Sequence, residues 1–483
     1  MRFIGNVEKD AQVRAVASGA LSTGDTVVVN SDGTVSVVEG ENPSQNVGTA
    51  QVFNAAYTQV YPYSTAYDPV AKKIVVIDRN ANAFVGEVGD SSVTYQSAVN
   101  YNSSSAGNDP ALAFDSVSGK FLIIFCDGAN NTRLSGIVGT VSGTSITFGS
   151  KVAFQTSGYA HRTSCAYDAN SGKFLVVYAD GGNSNYGTAV VATISGTNVS
   201  FGTSTVFESS NTQYPAAVYD ITNQKTVITY AGGSAQVGYA RVATISGTSV
   251  SFGSRANTSG GGNYTGFYSN SAYDPDTSKI VTVYSNLNNS TRGESVVGTV
   301  SGTNISYGSS TTFDFGGTEQ PVLAYNSAAQ KMAVFWADTQ ESRKGEIALG
   351  TVGATVDWAN AVTIVASNRE DNSSLVYDEN AKRLICLYRD SNNSNYGTSV
   401  VFTAAYNSTN LTSENYIGFA DSGYADGQSA AINSTCTVDR NQSGLTAGQT
   451  YYVQTDGSLG TTADDPSVVA GTAISSTEII VKG

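Results

Sequence analysis

One phrase returns seven times along the 483 residues: an aromatic, an acid in six of the seven, a turn, a Lys or Arg, then a short apolar strand. It reads AYDPVAKKIVVID (66–78), AFDSVSGKFLIIF (113–125), AYDANSGKFLVVY (166–178) and VYDITNQKTVITY (218–230). It continues as AYDPDTSKIVTVY (272–284), AYNSAAQKMAVFW (324–336) and VYDENAKRLICLY (376–388). The aromatic falls at Tyr67, Phe114, Tyr167, Tyr219, Tyr273, Tyr325 and Tyr377, spaced by 47, 53, 52, 54, 52 and 52 residues. A second phrase trails most copies: GTVSGTSITFGS (139–150), ATISGTNVSFGT (192–203), ATISGTSVSFGS (243–254) and GTVSGTNISYGS (298–309). A period near 50 residues with several short strands per copy predicts an all-β fold, a β-propeller with one blade per repeat.

Each blade reads as four antiparallel strands. The first ends at the repeated aromatic, and the second begins after the Lys. The third covers stretches such as 186–194, and the fourth is the apolar part of stretches such as 198–207. The acid after the aromatic fits an Asx cap on the first hairpin turn, a structural role. The seventh copy breaks off after NYGTSVVFTAAY (395–406), whereas VGTAQVFNAAYTQVYPYSTAYD (47–68) resembles the run-in to a later blade, FGTSTVFESSNTQYPAAVYD (201–220). Residues 47–54 are therefore expected to supply the outer strand of blade seven, closing a seven-bladed ring over 47–405. The alternative stays open, because GTA at 48–50 also echoes GTA at 471–473.

The remaining segments, 1–46 and 406–483, share a pattern of their own. GALSTGDTVVVNSDGTVSVV (19–38) parallels SGLTAGQTYYVQTDGSLGTT (443–462), with tight-turn signals at Asp32-Gly33 and Asp456-Gly457. A small β module built from both termini is expected outside the propeller. This terminal phrase and the SGTSITFGS hairpin resemble pieces of phage tail-fibre and related virion proteins. The resemblance implies a structural protein of the phage particle, tail fibre or appendage in type. It implies one part fixed to the virion and another facing the host. Because both ends of a closed ring leave from one blade, the terminal β modules are expected to dock to other virion proteins, with many copies per particle making up for weak single contacts. Long coiled coils or β-helices of the kind that form fibre shafts are not visible in the sequence.

Composition narrows the chemistry. A net charge of −14 argues against a nucleic-acid partner, whose phosphates require a basic face. No stretch approaches the ~20 apolar residues of a membrane-spanning helix. The opening MRFIGNVEKDAQ lacks the apolar core of a signal peptide, so synthesis in the host cytoplasm and residence in the virion are expected. The cysteines Cys126, Cys165, Cys386 and Cys436 are widely spaced and read as buried free thiols. With His161 the single histidine, a His-based metal cage or a Ser-His-Asp triad has almost nothing to work with, and no enzyme is expected. DGGNSN (180–185) and DSNNSN (390–395) offer clustered oxygens for Ca²⁺ but lack EF-hand spacing; Asx turns are the competing reading.

Comparing the repeats with one another separates two edges of the ring. Turns such as DSVSGK and DANSGK, or SGTS and SGTN, are nearly uniform. The loops entering each blade and those between second and third strands vary, and are rich in Tyr, Asn, Ser, Gly and Arg. In an up-and-down blade both variable sets emerge on one face, and their composition suits an adaptable recognition surface. Candidate receptor-binding residues are Tyr159, His161, Arg162, Tyr214, Tyr264 and Phe267, together with Arg133, Arg292, Arg343 and Arg369. Aromatic faces stacked on sugar rings, with Arg at hydroxyls or carboxylates, point to a host surface glycan. Two alternatives remain: a capsid or tail decoration protein without a receptor, and a propeller glycosidase, which needs a carboxylate pair across a pocket.

Overall fold

The computed structural model describes residues 12–41, 44–102, 107–155, 158–233, 237–258, 267–367, 369–405, 408–464 and 466–482. They form an all-β protein of mostly five-stranded antiparallel sheets, with short 3-10 turns between strands. The chain divides into two compact units: Gln45–Ala404, and a second made from the segments on either side of it.

The second repeat shows how the phrase becomes structure. Gly107–Asp115, Lys120–Asp127, Arg133–Ser142 and Ser145–Phe148 run as a meander, with Phe114 opposite Phe121, Phe121 opposite Gly139 and Gly139 opposite Phe148. The second strand is apolar without alternation, and Phe121–Cys126 is buried on both faces. That pattern belongs to a strand covered on either side by neighbouring sheets. The turn before it is held by the repeated acid: Asp115 Oδ1 accepts from the Val117 and Ser118 amides at 2.9 and 3.1 Å. Asp68, Asp168, Asp220, Asp274 and Asp378 each accept at least one such amide, and Asn326 does the same in the sixth repeat.

The outer edge differs from the expected single fourth strand, because it is broken in two. Ser145–Phe148 pairs with the end of the third strand, while Val152–Ala153 pairs with its start. The break falls at the Gly of the FGS phrase, for a steric reason. A Cβ on Gly149 would lie 1.8 Å from the Thr197 carbonyl oxygen, in the SGT turn of the following repeat. The same approach holds for Gly202 on Thr248 (2.0 Å) and Gly253 on Thr303 (1.6 Å). The FGS and SGT phrases are thus two halves of one contact between neighbouring repeats.

The seventh repeat borrows its outer edge from the segment before the first. Val47 stands opposite Phe402, and Gln51, Val52 and Asn54 stand opposite Ser399, Thr398 and Gly397. Phe53 covers Gly397 as Phe207 covers Gly187 and Phe313 covers Gly293, and Gly48 approaches Ser91 as Gly149 approaches Thr197. Innermost strands of successive repeats lie side by side. Leu112 N donates to Tyr63 O, Ala217 N to Ser164 Oγ and Leu323 N to Asn270 Oδ1. Between the last repeat and the first, Thr65 Oγ1 and Ser374 Oγ are 2.6 Å apart. The architecture is propeller-like.

The terminal unit contains two five-stranded sheets of identical order. One takes Gln12–Val16, Thr26–Val29, Val35–Val37, Tyr416–Ala420 and Ser429–Asn433, arranged first-fifth-fourth-second-third. The other takes Val438–Asp439, Thr450–Val453, Leu459–Gly460, Val468–Ala473 and Ile479–Val481 in the same arrangement. Both matching turns use Asp-Gly: Asp32 accepts from Thr34 N and Asp456 from Ser458 N, with Gly33 and Gly457 at φ +83° and +84°. Val28, Phe419, Val453 and Ile479 share one buried cluster. The repeats therefore interrupt one copy of this module between its third and fourth strands, and the C-terminal copy is continuous. The thiols are free: Cys126, Cys165 and Cys386 are buried, but Cys436 is exposed, unlike the sequence expectation.

Candidate functional site

The first strands of repeats two to six share a defect. Each carries a β-bulge near its start, between Asn108 and Ala111, His161 and Ser164, Gln213 and Ala216, Phe267 and Asn270, and Glu319 and Val322. Where side chains are described, one bulge residue is left-handed: Asp109 (φ +45°), Arg162 (+58°), Tyr214 (+48°) and Gln320 (+44°). Pro110, Pro215 and Pro321 follow three of them, in a place where a strand tolerates a residue without an N–H. A left-handed non-glycine residue costs about 1–2 kcal/mol, and such strain gathers at functional sites. Here it turns four side chains of different chemistry toward one cavity of about 350 Å³, walled also by Gln59 and Tyr61.

Within the cavity the Arg162 guanidinium lies 4.2 Å from the centroid of the Tyr214 ring. Arg162 Nη1 donates to Gln213 Oε1 at 2.5 Å, and the Arg162 amide donates to Asp109 Oδ2 at 3.3 Å. The lining residue Gln59 accepts at Oε1 from Arg79 (2.6 Å) and from the Tyr61 hydroxyl (3.1 Å), and Arg79 also donates to Asn108 Oδ1 (3.1 Å). Burial, reinforced by the Asp109 charge, pushes the Tyr61 hydroxyl well above its ordinary pKa. It therefore stays a neutral hydrogen-bond donor across the physiological range. The Tyr214 ring and the prolines Pro62, Pro110, Pro215 and Pro321 line the cavity together with amide, carboxylate, guanidinium and hydroxyl groups. A cavity of this size and mixture suits one small hydroxylated ring.

Of the residues singled out from sequence, Arg162 and Tyr214 meet in this cavity. Tyr159 is half exposed, and its carbonyl accepts from Gly181 N, because Ala160 pairs with Asp180 and sets the two variable loops side by side. Arg133 and Arg292 open the third strands of their repeats, away from the cavity; Arg292 lies 5.4 Å from the centroid of exposed Phe315. Arg343 forms an ion pair with Glu319, the neighbour of Gln320. Tyr264 lies outside the described residues, as do the side chains of His161, Phe267 and Arg369.

Gln59, Tyr61, Arg79, Asp109 and Gln320 were not anticipated. A usable signal existed: Pro110, Pro215 and Pro321 each stand five residues before the repeated Asp or Asn, a Pro inside an apparent strand. A further Arg–aromatic pair was also missed. Arg389 Nη1 donates to the Tyr57 hydroxyl at 2.7 Å, and the Tyr57 ring is half exposed. The two loops considered for Ca²⁺ are 3-10 turns, Gly181–Asn183 and Ser391–Asn393. Their leading carboxylates are occupied in capping: Asp180 accepts from Gly182 N and Asp390 from Asn392 N. Asp109 is the one carboxylate among the described residues of the cavity wall.

No family model and no curated protein matches this chain by sequence. Among solved structures, the BP39L lectin of Burkholderia pseudomallei superposes with a TM-score of 0.53 at 10% identity, covering 76% of this chain and 98% of the lectin. At that identity the likeness concerns the fold.

Proposed function

We propose that this chain is a non-enzymatic carbohydrate-binding protein: residues 45–404 form a closed seven-bladed propeller, and its axial cavity holds one sugar ring. The observation that carries the reading is the Arg162–Tyr214 stack, set among hydrogen-bonding groups that four or more repeats turn inward by the same bulge. The lectin neighbour supports the ligand class, since a similar architecture there bears that name. The cavity takes Asp109, Arg162, Tyr214 and Gln320 from four different repeats, so one ligand per chain is expected. A glycosidase uses two carboxylates; Asp109 with no second one among the described wall residues favours holding the sugar over cleaving it.

The wider role rests on the terminal resemblance. We place the protein on a phage particle as a tail fibre or appendage, with the terminal unit held by other virion proteins and the cavity face toward the host. One small site is weak, and attachment gains strength from many copies acting together. Screening immobilised neutral and acidic host glycans, then titrating the best by calorimetry, tests the proposal. Arg162→Ala and Tyr214→Ala should each weaken binding at least tenfold, about 1.4 kcal/mol, with no sugar released on long incubation. If no glycan binds, or if the two variants bind as the wild type does, the decoration reading replaces this one.

A further inference from the structure

Neighbouring repeats are latched by a recurring polar contact. At three seams the residue after the outer aromatic reaches the acid that ends the second strand of the next repeat. Asn54 Nδ2 donates to Asp78 Oδ2 (2.7 Å), Asn102 Nδ2 to Asp127 Oδ1 (2.9 Å) and Gln155 Nε2 to Asp180 Oδ1 (2.8 Å). A side-chain amide on a carboxylate satisfies both groups.

One of these three seams is different. Between repeats one and two a third group enters, Lys151, two residues after the Gly of FGS. Its Nζ lies 2.6 Å from Asp127 Oδ2 and 2.9 Å from Asn102 Oδ1. Corresponding positions carry Ser204, Arg255, Ser310 and Ala361, none of them a primary amine. Asp127 is 1% exposed and Asn102 is 4% exposed. An amine and a primary carboxamide are thus held against each other by one buried carboxylate that touches both.

We propose that Lys151 and Asn102 join in an intramolecular isopeptide bond, with Asp127 as the proton carrier. The Lys151 ammonium gives a proton to Asp127, and the freed amine attacks Asn102 Cγ, forming the new C–N bond. Asp127 returns that proton to Asn102 Nδ2, the Cγ–Nδ2 bond breaks, and ammonia leaves with the second proton of the attacking nitrogen. The balance is an ammonium plus a carboxamide giving a secondary amide plus ammonium, with no oxidant and no cofactor. Fixed proximity supplies the rate that free solutes lack, and a carboxylate within hydrogen-bond reach of both partners is placed for the transfers. Burial raises the Asp127 carboxyl, but Lys151, Asn102 and the Ala129 amide outweigh it and hold its pKa below the ordinary value. The resting trio is therefore an ion pair, and the reaction draws on a minor neutral form, once per molecule and slowly. The product would bolt the first repeat to the second, beside the seam where the two ends of the repeat array meet.

Intact-mass spectrometry of the aged full-length protein decides the matter. The expected mass is lower than the sequence mass by about 17 Da, one ammonia. A tryptic digest should then join the peptide 80–120 to 134–162, because an acylated Lys151 is not cleaved. Lys151→Arg keeps the charge facing Asp127 and should restore the full mass. The sequence mass with both peptides separate would show an ion pair only and overturn the proposal. Loss of ammonia that persists in Lys151→Arg would assign it to succinimide formation, and would overturn it equally.

Discussion

The two edges of the repeat array are built on opposite principles. On one edge the same chemistry recurs: an Asp or Asn caps each hairpin, and the Gly of one repeat seats on the SGT-type turn of the next. On the other edge repeats two to six make the same bulge, and four of them fill it differently, with Asp109, Arg162, Tyr214 and Gln320 in strained conformations. The uniform edge is shaped by packing, where one solution serves every copy. The varied edge is shaped by something that is not repeated sevenfold, as the proposed single ligand would require. Mutations should divide along this line, with stability lost from one edge and binding lost from the other.

The largest loss of stability should come from the borrowed outer edge of the seventh repeat. Phe53 packs on Phe84 and Tyr95, with ring centroids 5.3 and 5.5 Å away, and covers Gly397. Phe53→Ala should cost about 3–5 kcal/mol, the range for emptying a buried aromatic site, read as a lowered urea midpoint. Glycan affinity of the molecules that remain folded should be unchanged. A loss below about 1 kcal/mol would mean that the segment is not needed to complete the repeat array.

A smaller effect is expected at a hairpin cap. Asp168 is buried and accepts from Ser171 N at 2.9 Å. Asp168→Ala strands that donor and should cost about 1–3 kcal/mol, again without touching affinity. Tyr214 should behave in the reverse sense. Tyr214→Gly frees a left-handed residue, so its stability should hold or rise by up to about 1 kcal/mol, while glycan affinity falls at least tenfold. A variant that lost stability and kept affinity would remove the distinction between the two edges.

Legibility from sequence followed the same division. Seven Asp or Asn caps, the FGS glycines and Phe53 recur at one period, so their register and the origin of the seventh outer strand could be read before any coordinates. The split outer strand could not, because its cause is a carbonyl of another repeat meeting Gly149 through space. Most of the cavity was invisible for a different reason. Asp109, Arg162, Tyr214 and Gln320 share a backbone conformation and not a residue type, and bulge geometry is not spelled by identity. Arg162 and Tyr214 were found because they are large and sit in varied loops. The same criterion picked Arg133 and Arg292, which open third strands away from the cavity.

The smallest expected effect tests whether the caps of the uniform edge are equivalent. Burial raises the Asp115 carboxyl, yet hydrogen bonds from Ser118, Tyr167 and the Val117 and Ser118 amides outweigh it, and its pKa falls below the ordinary value. At Asp378 burial wins over the Ala381 and Asn380 amides, and the pKa rises. A depressed folded pKa gives stability that is present above the unfolded value and lost as pH falls through the folded one. A raised folded pKa gives the opposite, a contribution present in acid and lost as pH rises through the folded value. At neutral pH Asp115 should therefore support the fold, while Asp378 carries a cost. The sixth repeat already uses the neutral solution, with Asn326 Oδ1 accepting from Ala329 N at 3.0 Å. Asp378→Asn should stabilise by about 0.5–1 kcal/mol at pH 7, a gain that fades toward pH 4. Asp115→Asn should destabilise by a similar amount at pH 7, because Ser118 Oγ loses its carboxylate acceptor at 2.6 Å. Urea melts of both variants between pH 4 and 8 read the two slopes, and slopes of the same sign would show that the caps share one electrostatic environment.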